Sequence, residues 1–153
     1  MTTAEEYLKS LIDQKNYIVE MMRHREELIE RASSIKSIDV SSDKVQSGHH
    51  SDHVGDQVSE IVALEQEIAE ENMKLLEFVR EFKMLLRNVR NASCWKVLNY
   101  IYGRFYTGGQ IAKMLNRTKT WVQLKHKEGV KAFAQANEEF LKAWVIKYDN
   151  EHV

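Results

Sequence analysis

Apolar residues in the first part of the chain recur in alternating steps of three and four. This spacing places them on one face of an α-helix and leaves the charged residues on the other faces. Two polar residues, Gln14 and Arg25, interrupt that face. The pattern predicts a helix over about residues 3–35, whose apolar face consists of Ala4, Tyr7, Leu11, Ile18, Met21, Leu28, Ala32 and Ile35.

The same pattern predicts a second long helix over residues 54–89, after a polar segment at 36–53. Serine, aspartate, glycine and histidine dominate that segment, which indicates a connector. Two long amphipathic helices joined in this way form either an antiparallel hairpin or a coiled coil between subunits. The apolar face of the second helix consists of Val58, Ile61, Ile68, Leu75, Val79, Phe82, Leu86 and Val89.

Shorter and more aromatic segments follow Asn91. Helices are predicted over residues 93–102 and 108–115, and a third from Lys119 onward continues as one long C-terminal helix. The absence of proline permits long helices, so the predicted fold class is all-α. We expect three parts: two long helices at 1–90, a helix-turn-helix domain at 91–133 and a helical extension at 134–153. The extension carries an aromatic stripe that is expected to pack on the long helices, formed by Phe133, Phe140, Trp144 and Tyr148.

Residues 107–133 have the spacing of a helix-turn-helix. Ile111, Ala112 and Leu115 supply the apolar and small positions of a first helix, and Asn116 suits a left-handed turn residue. Thr118 is placed to cap the second helix, whose inward apolar residue is Val122.

Two positions of this motif depart from the usual pattern. Arg117 and Lys125 stand where apolar residues are common. Their aliphatic stems are expected to lie on the core while the charges reach outward. Trp121 or Leu124 would then supply the missing apolar area.

The charge is segregated along the chain, although the net charge is only −1. Residues 1–89 carry a net −7 and residues 132–153 a net −2, whereas residues 90–131 contain nine basic residues and one acid, Glu128. A basic module of this kind favours a polyanionic partner.

One face of the predicted second helix of the motif combines cations with polar side chains. If Val122 and Val130 face inward, this face is the opposite one, and it suits phosphates and base edges in a major groove. Gln123 is a candidate for an adenine and Thr120 for a thymine methyl group or a base edge. An ordinary solvated lysine face is the alternative. The predicted DNA-binding residues are Arg104, Arg117, Lys119, Thr120, Gln123, Lys127 and Lys131.

Residues 94–133 resemble region four of bacterial sigma factors. They are more similar still to phage and prophage regulators of the ArpU/RinA late-operon activator type. A helix ending in an aromatic at 98–102 and a polar-connector motif at 44–47 (KVQS) belong to this likeness. The motif residues that carry it are Gln110, Ile111 and Ala112 in the first helix, and Trp121, Val122 and His126 in the second.

Three departures from the family pattern affect the expected helices. Lys125 replaces a leucine, Gly129 replaces an alanine, and Thr107, Gly108 and Gly109 form a more polar helix start. Because a helical glycine costs about 1 kcal/mol relative to alanine, we expect the second helix to bend or to stop at Gly129.

The resemblance implies a sequence-specific transcription regulator of a phage or prophage in a low-GC Gram-positive bacterium, acting on late operons in the host cytoplasm. Double-stranded DNA is the expected partner. The long helices are expected to mediate homodimerisation or to contact RNA polymerase. Two other functions remain open: a small terminase subunit for DNA packaging, and a helical interaction protein such as an antirepressor or host-factor inhibitor.

Other chemistries find little support in the sequence. His49, His50, Asp52 and His53 crowd the connector, but without cysteine they favour no metal site. The single cysteine, Cys94, is interpreted as a structural thiol. No catalytic motif, cofactor motif, secretory signal or membrane-spanning run is present, so neither an enzyme nor a membrane protein is expected.

Overall fold

The computed structural model describes residues 1–41 and 48–152, with side chains described outside 35–54. Every regular element in this part of the chain is helical, which confirms the predicted all-α class. The elements are α1 (Thr3–Ser41), α2 (Gly48–Leu86), α3 (Ala92–Leu98), a π-helical turn (Asn99–Gly103), α4 (Gly108–Leu115), α5 (Lys119–Ala136) and α6 (Glu138–Glu151).

The long helices differ in their bounds from the prediction. The connector was placed at residues 36–53, whereas α1 is helical as far as Ser41 and α2 begins at Gly48. Serine, aspartate and histidine are weaker helix formers than alanine, but they do not break a helix as proline does. The end of the apolar periodicity therefore does not mark the end of a helix. The KVQS motif at 44–47 lies outside the described residues.

The chain divides into two compact units. One comprises Met1–Asp13 together with Leu75–Val153, and the other comprises Gln14–Lys74. The boundary expected at residues 90 and 91 is therefore not where the compact units divide. An apolar stripe on a long helix does not reveal which of its segments shares a core with a distant part of the chain.

In the unit Gln14–Lys74, α1 and α2 contact each other within one chain. Ile18, Met21 and Leu28 of α1 are buried, as predicted, and so is Ile68 of α2. The polar interruption at Gln14 is satisfied, because its Nε2 atom donates to the carbonyl oxygen of Glu71 at 3.3 Å and to the Glu71 carboxylate at 2.7 Å.

Val58 was predicted to lie on the apolar face of the second helix, but its side chain is 48% exposed. The half-buried neighbours at this level are Gln57 and Ile61. The prediction for Val58 was wrong because apolar residues spaced three or four apart can be assigned to either of two neighbouring stripes of a helix.

In the other unit, Tyr7 of α1 is completely buried at the centre of an aromatic cluster. Its ring lies between 5.3 and 5.9 Å, centroid to centroid, from four other rings, and its hydroxyl group donates to Glu81 at 2.8 Å. One of these rings is Phe78 of α2. The other three belong to the C-terminal aromatic stripe, so the prediction that this stripe packs on the long helices is confirmed for Phe133, Phe140 and Trp144.

The predicted single C-terminal helix is two helices that meet at Asn137. The backbone of Asn137 leaves the helical region (φ −126°, ψ 32°), and its side chain is buried. Its Nδ2 atom donates to the carbonyl oxygens of Leu85 and Phe133, and its Oδ1 atom accepts from Asn88. These bonds to the end of α2 fix the break at this residue.

Gly129 neither ends α5 nor interrupts it, since the helix continues to Ala136. The glycine lies where α5 crosses α3. A Cβ atom added there would lie 3.1 Å from Cγ of Leu98 and 3.4 Å from Cβ of Cys94. The missing side chain thus allows the close approach of two helices, which the expectation of a bend or a stop did not anticipate.

Candidate nucleic-acid interface

The first helix of the motif, α4, begins at a capping box. The Thr107 hydroxyl group accepts from the backbone N–H of Gln110 at 3.2 Å, and the Gln110 side chain accepts from the backbone N–H of Thr107 at 2.8 Å. The T-x-x-Q spacing at residues 107–110 is the sequence signature of this cap and was not among the predicted features. Two residues of α4, Ile111 and Ala112, are buried in a small core with Val97 and Val122.

The turn between α4 and α5 has the predicted geometry. Asn116 adopts the left-handed conformation (φ 53°, ψ 49°), and the next backbone N–H, that of Arg117, donates to the carbonyl oxygen of Ala112 at 2.9 Å. Thr118 caps α5, because its hydroxyl group accepts from the backbone N–H of Trp121 at 3.1 Å. α4 begins and ends at the predicted residues, and α5 begins at the predicted Lys119.

The inward side of α5 is formed by Val122, Gly129, Val130 and Phe133, all of them buried. Lys125 is half-buried, and its ammonium group lies 3.0 Å from the Glu128 carboxylate. This arrangement agrees with the expectation that its stem lies on the core while its charge reaches out.

Leu124 does not supply core area, since it is 51% exposed. Trp121 fills that role and packs on the small core. Leu124 lies on the outward side of α5 between Thr120 and Lys127, at helical spacing from both. The same spacing in the sequence indicates an exposed Leu124, but leucine is usually buried, and Leu124 was therefore predicted, with Trp121 as the alternative, to lie in the core.

All seven predicted DNA-binding residues are exposed. Five lie on α5. Thr120, Lys127 and Lys131 lie on the side away from Val122, with Gln123 at the edge of that side. Lys119 comes one turn before Val122 and lies beside the start of α4. Within the described part of the chain, the ion pair recorded on α5 joins Lys125 and Glu128, which are not members of this face. The five residues are Lys119, Thr120, Gln123, Lys127 and Lys131.

Three cations of this set lie against particular neighbours. The guanidinium carbon of Arg117 lies 5.0 Å from the centroid of the Trp121 ring, and that of Arg104 lies 5.7 Å from the Tyr100 centroid. Lys119 lies beside the start of α4, because a Cβ atom added at Gly109 would be 3.4 Å from its Cε atom. Cation–π contact restricts the motion of an arginine and leaves its donors available.

His126 packs inside the domain. Its Nε2 atom lies 2.7 Å from the Tyr102 hydroxyl oxygen, and both side chains are largely shielded from water. Burial lowers the pKa of His126, and the nearby Glu5 carboxylate partly opposes this effect. Burial also raises the pKa of Tyr102 to about 12. Near neutral pH the pair is therefore uncharged.

The remaining candidate residues are Cys94 and the polar side chains of the predicted connector. Cys94 is buried, and burial raises the pKa of its thiol, which agrees with a structural role. The side chains of His49, His50, Asp52 and His53 lie outside the described residues. Among those that are described, no three metal-binding side chains come together, and no helix has the length and hydropathy needed to span a bilayer.

Comparison with known proteins gives no relative: no protein-family model, no curated protein and no solved structure matches the chain.

Proposed function

We propose that this chain is a sequence-specific DNA-binding regulator of transcription, and that α5 enters the major groove of the duplex. The observation that carries the proposal is the exposed face of α5, where Lys127 and Lys131 lie at helical spacing from the polar side chains of Thr120 and Gln123, while Lys119 stands at the start of the helix. Lysines suit phosphates, whereas amide and hydroxyl groups suit base edges. A rigid, capped helix presents the two kinds of group together.

The way in which α5 is held supports this proposal. The side opposite the basic face is anchored by Val122 and Phe133, which are 2% and 0% exposed. The cap at Thr118 and the left-handed turn at Asn116 fix the N-terminal end of the helix. A helix that is rigid before it meets DNA loses little conformational entropy on binding.

The biological setting rests on the sequence resemblance to ArpU/RinA-type regulators. It comprises a phage or prophage gene in a bacterial host, late-operon transcription in the cytoplasm, contact with RNA polymerase and a homodimer. The long helices α1 and α2 are the proposed sites of contact with the polymerase or with a second copy.

Selection of bound duplexes from a random pool, followed by fluorescence anisotropy on the selected and a scrambled duplex, tests the proposal. We expect tighter binding to the selected sequence. Affinity should fall by roughly 500-fold between 50 and 200 mM salt if five cations contact phosphates. Equal affinity for both duplexes, or no binding at low salt, would contradict sequence-specific recognition.

Light scattering on the same sample addresses assembly. We expect the mass of a monomer or a dimer. A ring of eight or more subunits would instead favour a DNA-packaging function, and a chain that binds no DNA would favour a protein-interaction function.

A further inference from the structure

A cavity of about 190 Å³ lies beside the first turn of α5. Its lining contains two cations and a hydroxyl group, and none of the described residues that line it is acidic. Side chains from α3, from the end of α4 and from the start of α5 meet there. The lining residues are Ala92, Ser93, Lys96, Leu115, Arg117 and Trp121.

The Arg117 guanidinium group is positioned at this cavity by Trp121. The guanidinium carbon lies over the Trp121 ring, 5.0 Å from its centroid, and Trp121 itself packs on the small core of Val97, Ile111 and Val122. A guanidinium that lies over an aromatic ring still has N–H donors free for an anion. An arginine prepared in this way suits an oxyanion, which it can bind with two parallel hydrogen bonds.

The opposite wall comes from α3. Lys96 contributes an exposed ammonium group and Ser93 a half-buried hydroxyl group. Asn91 already accepts from the backbone N–H of Cys94 as the cap of this helix. The polar groups offered to a ligand are therefore side chains: a guanidinium, an ammonium and a hydroxyl group. Positively charged hydrogen-bond donors around a small cavity suit a phosphate group.

We propose that this cavity binds one backbone phosphate of the DNA, with Lys96 and Ser93 acting beside Arg117. The inference rests on the proposed function and deepens it. Arg117 directly precedes the cap of α5, so a duplex that receives α5 in its major groove brings a strand close to this point. Lys119 lies against the start of α4 instead, at Gly109. The helix end is thus flanked by two separate cationic positions.

The test compares Lys96→Gln with Lys142→Gln, which removes the same charge from an exposed lysine of α6. Affinity for the selected duplex is measured at several salt concentrations, after circular dichroism has shown equal helicity. We expect Lys96→Gln to lower the slope of log K against log salt by about 0.9. It should also weaken binding to selected and scrambled duplexes by the same factor, because a phosphate contact carries no base preference. Lys142→Gln should leave the slope unchanged.

Duplexes with a single neutral methylphosphonate locate the phosphate. When the methylphosphonate replaces the phosphate that the cavity binds, the wild-type protein should lose affinity. Lys96→Gln already lacks this contact, so it should bind the substituted and the unsubstituted duplex equally. If the wild-type protein binds DNA and no such position exists, or the Lys96→Gln slope is unchanged, the phosphate site is refuted while the proposed function stands. If the wild-type protein binds no DNA at low salt, the proposed function fails and this inference with it.

Inorganic phosphate serves as a separate probe, followed by the indole N–H resonance of Trp121. Weak saturation by millimolar phosphate that Lys96→Gln abolishes would agree with the DNA site. Tight binding of free phosphate together with an unchanged DNA slope would show that the cavity serves a small phosphorylated ligand, which would overturn the proposal.

Discussion

The Tyr102 hydroxyl oxygen and the Nε2 atom of His126 lie 2.7 Å apart and join the π-helical turn after α3 to the middle of α5. Their rings are 5.8 Å apart, centroid to centroid. The contact lies beneath the proposed DNA-binding face, one residue before Lys127. It connects the packing of α5 to the protonation state of a histidine.

Acidification should therefore destabilise the domain through His126. Burial lowers the pKa of His126 in the folded chain below its ordinary value, so the unfolded chain binds the proton more readily. This histidine's contribution to stability is complete above about pH 6.5 and is lost as the pH falls through the folded-state pKa. Urea unfolding at pH 7.5 and pH 5.5 should show a lower free energy of unfolding at the acidic pH.

Two variants make that experiment specific. His126→Phe removes the titrating group and should reduce the difference in unfolding free energy between the two pH values. His152→Gln changes an exposed histidine of the same unit and should retain the wild-type difference. An unchanged pH dependence in His126→Phe would show that another group is responsible.

Gly129 and Gly55, both within helices, should respond in opposite directions to replacement by alanine. A Cβ atom at Gly55 meets nothing within 4 Å, so Gly55→Ala should stabilise the chain by up to about 1 kcal/mol through helix propensity. At Gly129 the added atom would lie 3.1 Å from Leu98, which is completely buried. We expect overpacking to exceed the propensity gain and to leave Gly129→Ala destabilised by about 1 kcal/mol. Urea unfolding of both variants measures the contrast, and a stabilised Gly129→Ala would show that the helix crossing is loose.

Replacing Thr118 should affect the stability of the chain, whereas replacing Thr120 should affect DNA binding. Thr118→Ala removes the cap of α5 and should lower the free energy of unfolding by about 1 kcal/mol, whereas Thr118→Ser should retain it. Thr120→Ala lies on the exposed face and should leave stability within about 0.5 kcal/mol of wild type. In DNA binding the order reverses: Thr120→Ala should alter the preference for one base pair, and Thr118→Ala should not. If Thr120→Ala lowered the free energy of unfolding and Thr118→Ala did not, Thr118 would not be the residue that caps α5.

Gln123 and Lys127 should affect recognition in different ways. Gln123→Ala should relax the preference at one base pair at a cost of about 1–3 kcal/mol on the selected sequence. Lys127→Ala should weaken all duplexes equally and reduce the salt slope by about 0.9. Anisotropy on the selected duplex, its single-base variants and a scrambled duplex measures both effects. The reverse pattern would mean that a different side of α5 faces the bases.

Much of the helix-turn-helix was predictable because its features are local. Ile111, Ala112 and Val122 are fixed by helical spacing, the turn by the tolerance of asparagine for positive φ, and the cap by the side chain of Thr118. The exposed face of α5 follows from the same spacing. The identity of the partner does not follow from this spacing, because an exposed cationic helix face attracts any polyanion.

The sequence by itself determined the all-α class, the bounds of α4, the start of α5 and the exposure of its lysines, because each depends on residues a few positions apart. Tertiary structure decided the rest. Asn137 breaks the C-terminal helix because its amide group hydrogen-bonds to the carbonyl oxygen of Leu85 and to the side chain of Asn88. Tyr7 joins the core of the C-terminal unit because rings from four distant positions surround it, and Gly129 is needed because Leu98 approaches it. Such contacts join residues dozens of positions apart, which no local spacing records.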